Sequence, residues 1–373
     1  MSITLLILVI AIALAFTYIN GFHDTANSIA TVVATKVLTP RQAVVMAAVT
    51  NLLGALIGTA VAETIAAGLI NTDLVAEGAL FLLSALTSAC AWNLITWWWG
   101  LPSSSSHGLV GGMVGAALAA SSGQLQSVLW WVPGEHWWLA AGVVPKVILP
   151  MIASPVMGFV AAFALMAGLY LFLFWCAQRR GPLRQLGRTP FVSAFFGKAQ
   201  IVSAAAMGLS HGMNDAQKTM GIVALALAGA TGAGALDALP DWLAFLHVPM
   251  SADGHFDIPA WVVVLCALIM AAGTAAGGWR IIRTLGHKMV RLHPINGFVA
   301  ETGSALIIVF ASLFGIPVST THCVSSAIMG VGAAKRFSAI RWTVVQRMLW
   351  AWVFTLPVTA LLAWIIHMLL ALL

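Results

Sequence analysis

Gly100-Leu101-Pro102-Ser103-Ser104-Ser105-Ser106-His107 sits between two apolar stretches, and Gly315-Ile316-Pro317-Val318-Ser319-Thr320-Thr321-His322 sits between two others near the far end of the chain. Each copy runs on into a small-residue segment, 108–115 and 325–332. Pro102 and Pro317 cannot continue a helix but fit the first turn of a new one. Ser104, Ser105 and Ser106, like Ser319, Thr320 and Thr321, are therefore expected at or near helix N-termini. There, unpaired N–H groups and hydroxyl donors meet the positive end of a helix dipole. That arrangement suits an oxyanion such as phosphate or sulfate. The plainer alternative is capping, with each hydroxyl bonded to its own backbone.

A second pair of motifs precedes the first in each half. Gly21-Phe22-His23-Asp24-Thr25-Ala26-Asn27-Ser28 is matched by Gly212-Met213-Asn214-Asp215-Ala216-Gln217-Lys218-Thr219. On a helix, Asp24, Asn27 and Ser28 share one face, as do Asp215, Lys218 and Thr219. A carboxylate beside amide or hydroxyl oxygens suits a Na⁺ ion, and a desolvated Asp can instead exchange a proton. The alternative is a carboxylate that only fixes helix packing. Lys218 breaks the symmetry by placing an ammonium where the first half has Asn27; it either neutralises Asp215 or meets an anion directly.

Around these motifs the chain of 373 residues is 61% hydrophobic and only 8% charged. Soluble domains carry roughly a quarter charged residues, so a soluble enzyme and a disordered chain are both excluded. A transmembrane β-barrel would need polar residues at alternate positions. An all-α polytopic membrane protein remains. Sixteen Trp, with clusters at Trp97–Trp99, Trp130, Trp131, Trp137 and Trp138, suit headgroup-level rings. The four Cys stand singly, with no disulfide or metal pattern.

Ten apolar stretches are long enough to cross, near 3–33, 42–62, 79–99, 103–122, 139–175, 198–231, 260–279, 295–314, 316–334 and 343–372. The fifth holds Pro145, Pro150 and Pro155, which predicts a kinked, broken or re-entrant piece. The first lacks a basic flank and a cleavage site, so a retained span is expected over a signal peptide. If the stretches alternate, Lys36 and Arg41, Arg179 to Lys198, Arg280 to Arg291 and Lys335 to Arg347 all fall on one side. Glu63, Asp73, Glu77, Glu135, Asp237, Asp241, Asp253 and Asp257 fall on the other. Basic loops face the cytoplasm, which places both termini outside. The Asp24 and Asp215 spans then run in opposite directions. The expected fold is two inverted-topology repeats, 1–178 and 198–373, joined by a basic cytoplasmic linker at 179–197, with re-entrant or broken helices at the midplane. That is the plan of secondary transporters.

The remaining intramembrane polar groups are less symmetric. Glu301 with Thr302 precedes the second hydroxyl motif, where the first half has Leu86. It is either a coupling-ion ligand or an acid paired with an interior donor. His107 and His322 end the hydroxyl motifs as proton carriers or packing donors, and Lys146 lies between two prolines as a site residue or a snorkelling side chain. An intramembrane serine hydrolase on Ser106 and His107, or Thr321 and His322, is disfavoured. There is no G-x-S-x-G elbow, adjacent helical residues point apart, and a duplicated motif fits a symmetric binding site better.

In these motifs the sequence resembles the inorganic phosphate transporter family, in its bacterial low-affinity branch, with matches in order at 21–36, 100–115, 210–221, 277–301 and 315–332. The family pattern is an Asn-Asp-x-Ala-Asn core in each half. Here His23 replaces one Asn and Lys218 another, a variation that resembles proton-coupled members more than sodium-coupled ones. The resemblance implies phosphate held between the Asp-bearing helices and the Ser/Thr turns and moved by alternating access, as free phosphate or as a divalent metal–phosphate complex. The expected phosphate-binding set is Asp24, Asn27, Ser28, Ser104, Ser105, Ser106, Asn214, Asp215, Lys218, Thr219, Ser319, Thr320 and Thr321, and Asp24, Asp215 and Glu301 are the coupling-ion candidates. No catalytic residue, resident metal or cofactor is expected beyond the co-transported H⁺ or Na⁺. Expected partners are inorganic phosphate, the coupling cation and the lipid bilayer of a bacterial inner membrane, with a homodimer left open and no nucleic acid. A carrier of sulfate or another tetrahedral oxyanion is the alternative.

Overall fold

A computed structural model of the chain describes residues 2–71, 74–75, 78–136, 140–250 and 256–372; Asp73, Glu77, Trp137, Trp138 and Asp253 lie outside the described residues. Among these, the regular structure is helical apart from two isolated β-bridges. The first half opens with α1 (Ile3–Ala34), followed by α2 (Pro40–Ala55) and α3 (Ala60–Ala67), which form one span bent by 72°. Then come α4 (Gly78–Trp99), α5 (Ser105–Ala120), and a π-turn (Val144–Ile148) that leads into α6 (Leu149–Gln178). After the short α7 (Pro182–Leu186), the second half repeats this order. It has α8 (Thr189–Gly232), the bent pair α9 (Ala260–Ala276) and α10 (Trp279–Arg283), then α11 (Pro294–Leu313), α12 (Thr320–Lys335) and α13 (Trp342–Leu370). α8 begins inside the expected linker, so 189–197 is already helix.

Both hydroxyl motifs are the tips of helical hairpins. At 16 residues, α5 and α12 are about 24 Å long, short of the roughly 30 Å hydrocarbon core. The chain after α5 returns to the end from which α4 departs: the Leu129 amide donates to the Leu69 carbonyl at 2.9 Å, and the Asn71 amide to Ser127 at 3.0 Å. After α12 the Arg341 amide likewise donates to Met289, just ahead of α11, at 3.1 Å. The alternation of ten stretches as crossings is corrected accordingly, in keeping with the re-entrant or broken helices expected at the midplane. Among the described residues six helices are long and apolar enough to cross: α1, α4, the π-turn with α6, α8, α11 and α13. The spans number eight if the bent pairs α2–α3 and α9–α10 each count as one, and α4 and α11 are the long arms of the two hairpins. Hydropathy measures apolar length, and a hairpin arm buried in protein is as apolar as a crossing. Each hairpin replaces two crossings, so the sidedness assigned to the loops is unaffected. The 139–175 stretch is a single span from Val144 to Gln178, with the π-turn at Pro145 and Pro155 inside its helix, and it does not re-enter.

The two tips are built alike. Gly100 (φ +64°) and Gly315 (φ +63°) end α4 and α11 in the left-handed region, where a side chain would be strained. The next amides, of Leu101 and Ile316, reach back to Thr96 and Ala311, both at 2.9 Å, closing a Schellman-type stop. The proline follows, and then Ser104 and Ser319 cap α5 and α12 by accepting the amides of His107 and His322, both at 3.2 Å. Glycines let helices approach closely here: a side chain on Gly111 or Gly115 would strike the α13 backbone, and one on Gly212 the backbone of α2.

Two apolar clusters flank the tips. One joins Leu6, Val9 and Phe16 of α1 to Leu69, Ile70 and Val128 at the open end of the α4–α5 hairpin. The other joins Ile29, Ala30 and Val32 of α1 to Met289, Val290 and Ile340 at the open end of the α11–α12 hairpin. The hairpins thus open towards opposite ends of α1, and their tips meet in the polar layer between.

Candidate functional site

That layer is assembled from α1, α8 and the two tips, and its side chains are essentially withdrawn from solvent. Asp24 ties the halves together. Its Oδ2 accepts from the Ser105 hydroxyl at 2.7 Å and its Oδ1 from the Thr321 hydroxyl at 3.3 Å, one donor from each tip. Asn27 donates to Thr320 at 3.1 Å and Thr321 at 2.9 Å. Asp215 repeats the role from α8: Thr320 donates to its Oδ2 at 3.4 Å, while Lys218 binds both its Oδ1 and the Ser106 hydroxyl of the opposite tip. His107 and His322, one turn into α5 and α12, stand edge to face with ring centroids 4.8 Å apart. Trp352 of α13 locks the pair by stacking on His322 at 4.0 Å and donating to the Pro102 carbonyl at 3.0 Å.

Helix geometry gives the site its donors. Ser105 and Ser106, and Thr320 and Thr321, occupy the first two positions of α5 and α12, where a backbone N–H has no partner within its own helix. Two helix N-termini with their hydroxyls therefore face a common centre, which presents partial positive charge to an anion. Ser104 and Ser319 differ from their neighbours, because each hydroxyl oxygen caps its own helix. Asn214 points away from the tips' hydroxyls and donates to Ser312 at 2.9 Å and the Ile316 carbonyl at 3.3 Å. Ser28 and Thr219 are buried, and among the described residues their hydroxyls, like the Asn27 side-chain oxygen, have no protein partner.

Sequence reasoning did not include His211. Its Nε2 lies 3.0 Å from Asp215 Oδ2, and its Nδ1 lies 3.0 Å from the side-chain oxygen of Asn51, whose amide donates to Thr274 at 3.0 Å. His211 precedes Asp215 by four residues, so the same-face spacing that selected Lys218 also selects it. His23, singled out only as a replaced Asn, bridges Asp24 Oδ1 at 2.8 Å and Thr96 at 3.1 Å. Ligand atoms of Asp24, His211 and Asp215 lie within 4.8 Å of one another, a grouping able to hold a divalent cation.

Glu301 lies outside the tips. It accepts from Thr31 at 2.5 Å, from Gln200 at 3.1 Å and from Ser203. Thr31 is one helical turn beyond Asn27, so this cluster extends the polar layer towards the open end of the α11–α12 hairpin. The equivalent positions of the other half, Leu86, Ile222, Val9 and Ile12, are all apolar and packed in or against the first cluster. Lys146, at the start of the fifth crossing-length stretch, reaches the Phe314 carbonyl at the end of α11 at 3.5 Å.

Comparison with known proteins places this geometry in context. The model of a family described as the phosphate transporter family matches residues 20–363. A probable low-affinity inorganic phosphate transporter of Bacillus subtilis is 41% identical over 98% of this chain and 97% of its own length. One from Rhizobium meliloti is 41% identical over 97% and 96%. A solved structure titled as the sodium-dependent phosphate transporter superposes with a TM-score of 0.79 at 25% identity, covering 100% of both chains.

Proposed function

The chain belongs to the phosphate transporter family, and from that premise we propose that it is a secondary active transporter that imports inorganic phosphate across the bacterial inner membrane by cation symport and alternating access. The observation that carries the reading is the double hold of Asp24, which accepts a hydroxyl from each hairpin tip and so keeps the two helix N-termini on one site. Phosphate enters between the tips, where the N–H groups and hydroxyls of Ser105, Ser106, Thr320 and Thr321 take its oxygens. The halves are inverted repeats. Their hairpins open to opposite ends of α1, so rocking one half against the other exposes the same tips to each side in turn. The basic end, with Arg291 and Arg336, faces the cytoplasm, and both termini face outward.

Protons are the coupling ion in this reading. An ammonium already neutralises Asp215, and each Asp has an imidazole nitrogen within 3.0 Å, His23 on Asp24 and His211 on Asp215, a group able to relay a proton. Glu301 is the third coupling candidate, on the cytoplasmic side of the tips. Its apolar counterpart in the other half gives the path a direction. A second reading, favoured by the convergence of Asp24, His211 and Asp215, has the cargo as a divalent metal–phosphate complex whose metal sits on those three ligands.

Radiolabelled phosphate uptake into proteoliposomes, with sodium and pH gradients imposed independently, tests the proposal. An inward proton gradient is expected to energise uptake without sodium, with excess sulfate competing weakly. Strict sodium dependence overturns the coupling assignment, and preferential sulfate uptake overturns the substrate.

A further inference from the structure

At the open end of the α11–α12 hairpin lies a cavity of about 460 Å³, within the size range of small-ligand sites. Three chain segments supply its rim: Arg291 from the stretch before α11, Lys335 and Arg336 from the end of α12, and Arg341 from the start of α13. Its floor includes the buried Asn296 and Val331. Among the described residues, none of these four cationic side chains has an ion-pair or hydrogen-bond partner, and no Asp or Glu lines the cavity.

Positive loops on the cytoplasmic side and a cation at a helix C-terminus account for basic residues at this end of the molecule. Four exposed cations converging from three segments on one concavity also raise a positive potential there, which draws an anion. The other half offers a control within the same chain. The open end of the α4–α5 hairpin is built from a sequence that has no Lys or Arg anywhere from 42 to 145.

We propose that this cavity binds a phosphate group, held by Arg291, Arg336 and Arg341 with Lys335 as an additional charge. Guanidinium forks match phosphate oxygens in pairs, and a tetrahedral anion reached from three segments satisfies several forks at once. The group is that of free inorganic phosphate or of an anionic lipid headgroup at the membrane surface. The site is separate from the hairpin tips, and its occupancy does not depend on what the tips transport.

The test uses the full-length protein in detergent with the central site disabled by D24N/D215N, compared with the same protein also carrying R291Q/R336Q/R341Q. Radiolabelled inorganic phosphate and soluble dioctanoyl-phosphatidylglycerol are titrated separately. The first protein is expected to bind one of the two, and the three Arg substitutions are expected to weaken that binding at least tenfold. Phosphate binding identifies the free anion as the ligand; lipid binding alone identifies the headgroup. Binding of neither, or binding that the substitutions leave unchanged, overturns the proposal. Should D24N/D215N not fold, the substitutions are made in the otherwise unaltered chain. There the bound phosphate is expected to fall from two per chain to one, or bound lipid from one to none, and an unchanged stoichiometry for both overturns it.

Discussion

Asp24→Asn is expected to lower phosphate uptake at least a hundredfold while leaving the protein folded and extractable. The amide has the size of the carboxylate but not its bonding. Three groups point at the two Asp24 oxygens: the Ser105 hydroxyl, the Thr321 hydroxyl and a ring nitrogen of His23. An amide offers one acceptor and one donor, so at least one of those groups meets a donor instead. Hydrogen bonds to a charged partner contribute about 1.5–3 kcal/mol each. Losing two, about 3–6 kcal/mol, is a factor of at least about a hundred in binding or rate, at about 1.4 kcal/mol per tenfold. The effect should exceed that of Ser105→Ala, which removes one donor and leaves Thr321 in place. Uptake within threefold of the unaltered protein would show that Asp24 fixes helix packing and nothing more.

Lys218→Asn is expected to change what drives transport rather than abolish it. Lys218 is held between Asp215 and Ser106, so the ammonium occupies the position where a metal cation would balance Asp215. Asparagine recreates the Asp–Asn spacing of Asp24 and Asn27 and leaves Asp215 without its resident charge. An unpaired buried carboxylate is costly, and a small cation with oxygen ligands from Asp215, Thr219 and the introduced amide relieves it. Uptake without sodium should fall at least tenfold, and millimolar sodium should restore most of it. Sodium-independent uptake at the original rate would remove Lys218 from the coupling account.

Much of this was legible in the sequence because the determining residues act locally. The Gly-x-Pro-hydroxyl-His pattern encodes a left-handed stop, a fresh N-terminus and a Ser cap within eight residues, and both copies adopt it. The pattern predicts re-entrant or broken helices at the midplane but does not assign them to the helices that follow the two tips. Re-entry depends on α5 lying against α13 and α12 against α6, contacts made with helices far along the chain. The same limit applies to His211 and Glu301. The spacing of His211 from Asp215 was available, but its partner Asn51 lies on a different helix. The partners of Glu301 come from α1 and α8, and only once those helices are placed does its apolar counterpart become meaningful.

The central claim, that phosphate is held between the two hairpin tips, is tested most directly by an experimental map of the protein in lipid nanodiscs at saturating phosphate. The account predicts a tetrahedral density within hydrogen-bond reach of Ser105 or Ser106 on one side and Thr320 or Thr321 on the other, lost in the Asp24→Asn protein. A phosphate density confined elsewhere, with the tips still bonded to Asp24 as they are here, would contradict it.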